Sequence, residues 1–364
     1  MSPRFYYHPR MLEYDFGPKH PLKPERLHRT VVLLEALGAV EPQDPGMASQ
    51  RDALRVHTRQ YVATVEMLSS GLFTPDGFRR DSGIGTVDTP AFVGMYEAAL
   101  AYLGGSIRAA EAVRDGEPLA FNLSGGLHHA HADHASGFCV FNDAAAAIHT
   151  LLERFERVAY LDIDVHHGDG VQAIWLDDPR VMTVSIHEDP KTLFPGTGAV
   201  EETGAAGTAV NVPIPAKSTG DAWLFGFEQG CLRALELFRP QALVLQLGTD
   251  PHFADPLGHL RVTAQEWLRA VQLVAGLGIP TVALGGGGYN LTTVPRMWAA
   301  ACLTLMGRPV PDRWPDDLPS SWQLPPFADA EEPTPRGAGM DQVRQTVGTL
   351  RETVLARLAE ASKV

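Results

Sequence analysis

A chain of 364 residues, 45% hydrophobic and 20% charged, has the composition of an ordinary folded globular protein, neither disordered nor fibrous. Its formal net charge of −13 argues against non-specific nucleic-acid binding, which depends on neutralising phosphates with Lys and Arg, and favours attraction of cationic substrates. The three cysteines, Cys139, Cys231 and Cys302, form no Cys-x-x-Cys pair, so neither a disulfide framework nor a thiolate zinc site is expected. A cytoplasmic location fits that pattern. It also fits the start Met1-Ser2-Pro3-Arg4-Phe5-Tyr6-Tyr7-His8, which lacks the apolar core of a signal peptide. No apolar run is long enough to span a bilayer, so no membrane partner is expected.

In chain order, residues 4 to 8 suit a first strand, and a loop rich in turn formers follows at 13 to 21. From 24 to 37, Leu27, Val31, Leu34 and Leu37 fall at helical spacing behind Pro24. Residues 71 to 90 read as a long Gly/Asp/Thr/Pro-rich loop, and a long helix follows from 90 to 113, interrupted or kinked at Gly104-Gly105. Strands are expected at 118 to 123, 157 to 161, 181 to 186, 242 to 247 and 280 to 284. Helices are expected at 143 to 156, 221 to 237, 263 to 277 and 291 to 306. Strand and helix in alternation predict an α/β fold, with a mostly parallel central sheet flanked by helices on both faces. Residues 307 to 339 are Pro-rich and acidic, as an extended surface crossing would be, and a last helix at 341 to 362 carries an apolar stripe. The whole chain, 1 to 364, is expected to form one domain that includes both segments.

Four predicted strands finish in chemistry. The strand at 157 to 161 runs into Asp162-Ile163-Asp164-Val165-His166-His167-Gly168-Asp169-Gly170, and side chains alternate along an extended segment, so Asp162, Asp164 and His166 are expected on one face. Two carboxylates and an imidazole converging there are costly unless a cation sits among them. The strand at 118 to 123 leads to His128-His129, that at 242 to 247 to Asp250, and that at 280 to 284 to the glycine run before Tyr289. Any one of these has an ordinary explanation as core, cap or turn. Together, at the carboxyl edge of a parallel sheet, they describe a ligand site.

Asp164, His166 and Asp250 make a mixed oxygen and nitrogen donor set that leaves positions open, which suits Zn2+ or Fe2+ better than Mg2+ or Ca2+. Such an ion acidifies water towards pKa ~7. His128 and His129 can then move its proton to a leaving amine, with Asp162 and Asp169 orienting the imidazoles. Tyr289 is placed to donate to the developing oxyanion. The run Gly285 to Asn290 lacks the Gly-Lys-Ser/Thr ending of a phosphate loop.

Ser124-Gly125-Gly126-Leu127-His128-His129-Ala130, Gly137-Phe138-Cys139, the Asp162 to Gly170 block, Phe194-Pro195-Gly196-Thr197-Gly198 and Gly285-Gly286-Gly287-Gly288-Tyr289-Asn290 together resemble the signature blocks of the histone deacetylase superfamily. The resemblance implies the arginase/deacetylase fold and a metal-dependent amidohydrolase acting on N-ε-acetyl-lysine in protein or peptide, or on a related acylated amine. By motif it implies Asp164, His166 and Asp250 as metal ligands and Tyr289 as the carbonyl-polarising tyrosine. It pairs His129, the general base and acid, with Asp169, and the electrostatic His128 with Asp162. It further implies a tunnel walled by Gly137, Phe138 and Phe194, with Leu257 near its mouth and Asp88 holding substrate backbone at the rim. A structural K+ is implied at Asp162, Asp164, His166, Ser185 and Ile186.

The third-ligand block, Gly248-Thr249-Asp250-Pro251-His252, departs from the expected pattern at Thr249 and Pro251. There is no long insertion of the kind that acetylpolyamine-specific members use to narrow the entrance. With Lys19-His20-Pro21-Leu22 and Asp255-Pro256-Leu257-Gly258, the chain is more similar to the bacterial acetoin-utilisation deacetylases. The alternatives are an acetylpolyamine amidohydrolase, a two-metal ureohydrolase of the same fold, and a non-catalytic acyl-lysine-binding module. Oligomeric state is left open by the sequence.

Overall fold

The computed structural model describes residues 3–71, 81–204, 207–331, 333 and 335–361. Eight parallel strands form one open sheet: β1 (Arg4–Tyr6), β2 (Pro42–Gln43), β3 (Leu119–Asn122), β4 (Val158–Asp162), β5 (Val181–Glu188), β6 (Ala209–Ile214), β7 (Ala242–Gln246) and β8 (Thr281–Leu284). Their order across the sheet is β2-β1-β3-β8-β7-β4-β5-β6. The four strands with chemistry at their ends are therefore consecutive neighbours. They also finish level, because Asn122, Leu284, Gln246 and Asp162 are successive partners across the ladder.

Alternation along the strands explains the layers. Ala159 and Leu161 of β4, with Leu243 and Leu245 of β7, join the apolar cluster that includes Trp267, Trp298 and Leu303 of the helices Ala264–Ala275 and Thr293–Leu305. Val158 and Tyr160, with Ala242 and Val244, face the opposite cluster of Ala109 and Val113 from helix Met95–Arg114 and Ile148 from helix Asp143–Leu151. Both sheet faces are covered, as a parallel sheet requires. Trp298 and Trp267 also donate indole N–H bonds of 2.8 Å to the carbonyls of Leu247 and Gly248, which fixes the chain leaving β7.

Several expectations needed correction. Helix Met95–Arg114 runs uninterrupted through Gly104-Gly105. Those glycines serve close packing, since a Cβ on Gly105 would lie 2.6 Å from the Asn122 side chain and one on Gly104 2.8 Å from the Ala48 amide nitrogen. The last helix is two, Met340–Glu352 and Val354–Ala361, broken at Thr353 with ψ −98°. Its stripe, Val343, Val347 and Leu350, packs on the body beside Val212 and Phe227. The helix begun at Asp143 ends at Leu151, and the first strand at Tyr6. The helix expected at 221 to 237 contains a π-helical turn, Phe227–Leu232. Strands β2 and β6 and the helices Gln50–Ala53, Arg59–Ser69 and Asp169–Trp175 were not anticipated. β6 carries Pro213 on an outer edge of the sheet, where a missing N–H is tolerated. Of the expected loop at 71 to 90, residues 72 to 80 lie outside the described residues. Among the described residues, no helix is long and apolar enough to cross a membrane.

Candidate functional site

Strand β4 stops at Asp162, so the alternation argument does not extend to Asp164 and His166. Instead the chain curls on its own carboxylates: the Asp164 amide donates to Asp162 Oδ1 and the His166 amide to Asp164 Oδ1, each at 3.0 Å. The curl turns Asp162 away from His166 and towards His128. Asp164 and His166 instead meet Asp250 from the neighbouring β7, and His166 Nδ1 lies 3.1 Å from both Asp164 Oδ1 and Asp250 Oδ2. Thr249 and Pro251 do not disturb the ligand loop. The Thr249 amide donates to the Gly287 carbonyl at 2.9 Å, and Asp250 Oδ1 accepts from the Val165 amide at 2.9 Å.

All three side chains are buried. Burial raises the Asp250 carboxyl, and Asp164 raises it further, to about 7. Burial disfavours the His166 cation, but hydrogen bonds to Asp164 and Asp250 outweigh that and lift it to about 10. One imidazole thus serves two buried carboxylates and can neutralise only one of them. A divalent cation would neutralise both, so the donor set fits such an ion. A second buried group that can hold an ion, His128, Asp162 and Asp164, lies alongside. Ser185 is the ladder partner of Asp162 across β4 and β5, and its Oγ lies 2.8 Å from His187 Nδ1.

Two His–Asp pairs flank the cluster. His128 Nδ1 lies 2.8 Å from Asp162 Oδ2, which also accepts from the Tyr160 hydroxyl at 2.7 Å. His129 Nδ1 lies 2.6 Å from Asp169 Oδ1, and the two Nε2 atoms face one another at 3.0 Å. Burial lowers both imidazoles, yet their charges differ. For His128, Asp162 and Asp164 prevail and raise it to about 9, whereas His129 is lowered to about 4 by burial and the neighbouring His128. The two facing Nε2 atoms thus differ in proton affinity, with the higher on the Asp162-paired His128.

These groups close one end of a cavity of about 220 Å3 lined by His129, His166 and Tyr289, with Gly137, Phe138, Leu193, Phe194, Leu257 and Asp88 as the remaining lining. The structure places Gly137, Phe138, Phe194, Leu257 and Asp88 on the wall of this one cavity. Gly137 has φ +48°, and a Cβ there would lie 2.4 Å from His129 Cδ2, so only glycine fits. Phe194 is 44% exposed, at the open end. Burial keeps the Tyr289 phenol well above its ordinary pKa, and its backbone amide donates to Asp255 Oδ2 at 2.7 Å.

The sequence reading missed the supports. Arg26 is buried and donates to the carbonyls of Gly286 and Gly288 at 2.7 and 2.9 Å, bracing the tyrosine loop from below. Asp143 accepts from the amides of Gly126 and Leu127 at 2.9 and 2.8 Å, which shapes the turn before His128. His20 Nδ1 accepts from the Leu22 amide, so its Nε2–H donates to the Asp88 carbonyl at 3.0 Å, and its ring stands edge-on to Phe138. His131 approaches Asp169 Oδ2 at 3.3 Å. Periodicity flagged none of these; only the buried position of Arg26, on a helix with an apolar stripe, left a faint signal.

The histone deacetylase domain family matches residues 20–305. The acetoin utilization protein AcuC of Bacillus subtilis is 38% identical over 358 residues, covering 91% of this chain and 92% of its own. Histone deacetylase clr6 of Schizosaccharomyces pombe is 36% identical over 325 residues, covering 85% of this chain and 78% of its own. Crystal structures of an HDAC homolog complexed with SAHA and of an HDAC homolog from Aquifex aeolicus each align at a TM-score of 0.88 and 28% identity, over 96% of this chain and 100% of theirs. With the matched domain covering seven of the eight strands and every strand end that builds the site, this chain belongs to the histone deacetylase family.

Proposed function

We propose that the protein is a metal-dependent deacetylase that hydrolyses the amide of N-ε-acetyl-lysine, or of a related acylated amine, to the free amine and a carboxylate. One observation carries the reading: the ligand cluster, the two His–Asp pairs and Tyr289 converge at the closed end of one narrow, aromatic-walled cavity. A reader of acylated lysine would need the cavity and the walls, but not the acid–base pairs.

Asp164, His166 and Asp250 would hold one divalent ion, Zn2+ or Fe2+. The ion supplies Lewis-acid activation of water and of the scissile carbonyl. The protein's own groups do the rest. His129, neutral and held by Asp169 through Nδ1–H, offers Nε2 to take a proton from the attacking water and to return it to the leaving amine nitrogen. His128, whose proton affinity Asp162 raises, would keep positive charge beside that transfer. Tyr289, kept protonated by burial, donates to the carbonyl oxygen as negative charge develops there. Phe138 and Phe194 pack along the aliphatic stem and exclude water. Asp88, exposed at the rim, can accept from backbone amides of a peptide. Asp162, Asp164, His166, Ser185 and Ile186 would hold a structural K+.

The test is kcat/KM across an N-ε-acetyl-lysine peptide, acetylspermidine and a series of longer acyl-lysines, using zinc-loaded protein. Turnover of acetyl-lysine peptide above the others supports the reading. A preference for acetylspermidine makes the protein a polyamine deacetylase, and no turnover of any acyl amine refutes both.

A further inference from the structure

We propose that His131 is a positioning residue for the proton-transfer pair, bracketing the Asp169 carboxylate opposite His129 so that the pair is held in one plane. The proposal rests on the reading of His129 as base given above. Asp169 offers Oδ1 to His129 Nδ1 at 2.6 Å and Oδ2 to His131 Nε2 at 3.3 Å. A carboxylate held through one oxygen can turn about its last side-chain bond, and its partner imidazole turns with it. Donors on both oxygens remove that freedom, and placement of the base is where small misalignments cost rate.

His131 is itself held. Its amide donates to the His134 carbonyl at 2.9 Å, and its own carbonyl accepts from His57 Nδ1 at 3.0 Å. The His57 Nε2 accepts from the Asn142 amide at 2.9 Å, so both nitrogens of that buried ring are committed and its Nδ1 must be the donor. The His131 ring stacks on His134 at 4.4 Å with 9° between planes, and His134 Nδ1 lies 2.7 Å from Asp133 Oδ1 at the surface. The His131 side chain is 24% exposed and that of Asp169 11%, so the bracket spans from solvent to the buried pair. Burial raises the Asp169 carboxyl, but His129 and then His131 outweigh it and hold the group well below the ordinary range, as a carboxylate that accepts from both sides.

The experiment compares zinc-loaded wild type with His131→Phe and His131→Gln. Two readouts are taken: steady-state kinetics, and exchange with water of the low-field His129 Nδ1–H proton, assigned by its absence in His129→Gln. His131→Phe is expected to lower kcat by about five- to tenfold with KM unchanged, the scale of one lost hydrogen bond, and to speed proton exchange. His131→Gln, which keeps a donor, is expected to restore both. Unchanged exchange in His131→Phe overturns the proposal. So does faster exchange with kcat intact, and so does a raised KM with weakened hydroxamate binding, which would mean that the loop to Gly137 and Phe138 had moved. If wild type hydrolyses no acyl amine, the functional reading fails, and the exchange measurement alone decides the bracket.

Discussion

The backbone amide of Gly287 donates to Asp164 Oδ2 at 2.6 Å, joining the loop that carries Tyr289 to the ligand cluster. Its neighbourhood leaves no room: a Cβ on Gly287 would lie 2.0 Å from Asp250 Oδ2 and 2.7 Å from Asp164 Oδ2. Gly287→Ala should therefore displace two ligands at once. Its zinc affinity, measured against a competing chelator, should fall by about 10- to 100-fold, as for losses among groups that orient metal ligands. Wild-type affinity in Gly287→Ala would show that the cluster does not need this fit.

Tyr289→Phe removes one hydroxyl and leaves the Asp255 contact, which is made by backbone. Metal content and hydroxamate affinity should stay near wild type, while kcat falls by about 100- to 1,000-fold, the scale for losing one oxyanion donor. A Phe variant at full rate would remove the tyrosine from the mechanism.

The Pro-rich segment is tied to the site by Asp329. Its carboxylate lies 2.5 Å from Arg296 and 2.9 Å from His252 Nε2, and accepts from the Ala264 amide at 2.7 Å, all three side chains being at most 8% exposed. Asp329→Ala leaves Arg296 buried without its carboxylate and should cost about 3–5 kcal/mol of stability. Urea unfolding measures it, and a loss below about 1 kcal/mol, the range of an exposed pair, would show that the cluster is not dry.

Much of the site was legible because it sits at strand ends. The apolar runs of β3, β4, β7 and β8 are short and end abruptly in Asp, His or Gly, and a parallel sheet brings such ends to one edge. β6 was hidden by Pro213, and helix Arg59–Ser69 was passed over although Tyr61, Val62, Val65 and Leu68 carry its spacing. The supports were illegible for another reason. Arg26 meets its carbonyl partners 260 and 262 residues away, and Asp143, His20 and His131 act through contacts that exist only once the topology is set. Beyond the place of Arg26 on a helix with an apolar stripe, a single sequence holds no local sign of them.

His57 gives the fold a pH dependence. Burial holds its imidazole down at about 4, with Nε2 accepting from the Asn142 amide. The unfolded chain takes up that proton near pH 6.5, so the lowered folded pKa stabilises the protein above that pH. The contribution shrinks as pH falls from about 6.5 and is gone below about 4, a loss of about 3 kcal/mol. Urea midpoints of wild type should drop more steeply over this window than those of His57→Gln. Parallel slopes would mean that His57 is protonated in the fold.

The most direct test is a titration of metal-free protein with Zn2+ while acetate release from an N-ε-acetyl-lysine peptide is measured. The rate should rise from near zero and level off at one ion per chain, and Asp250→Ala should show no rise. A plateau at two ions, or full activity without metal, would contradict a single divalent ion held by Asp164, His166 and Asp250.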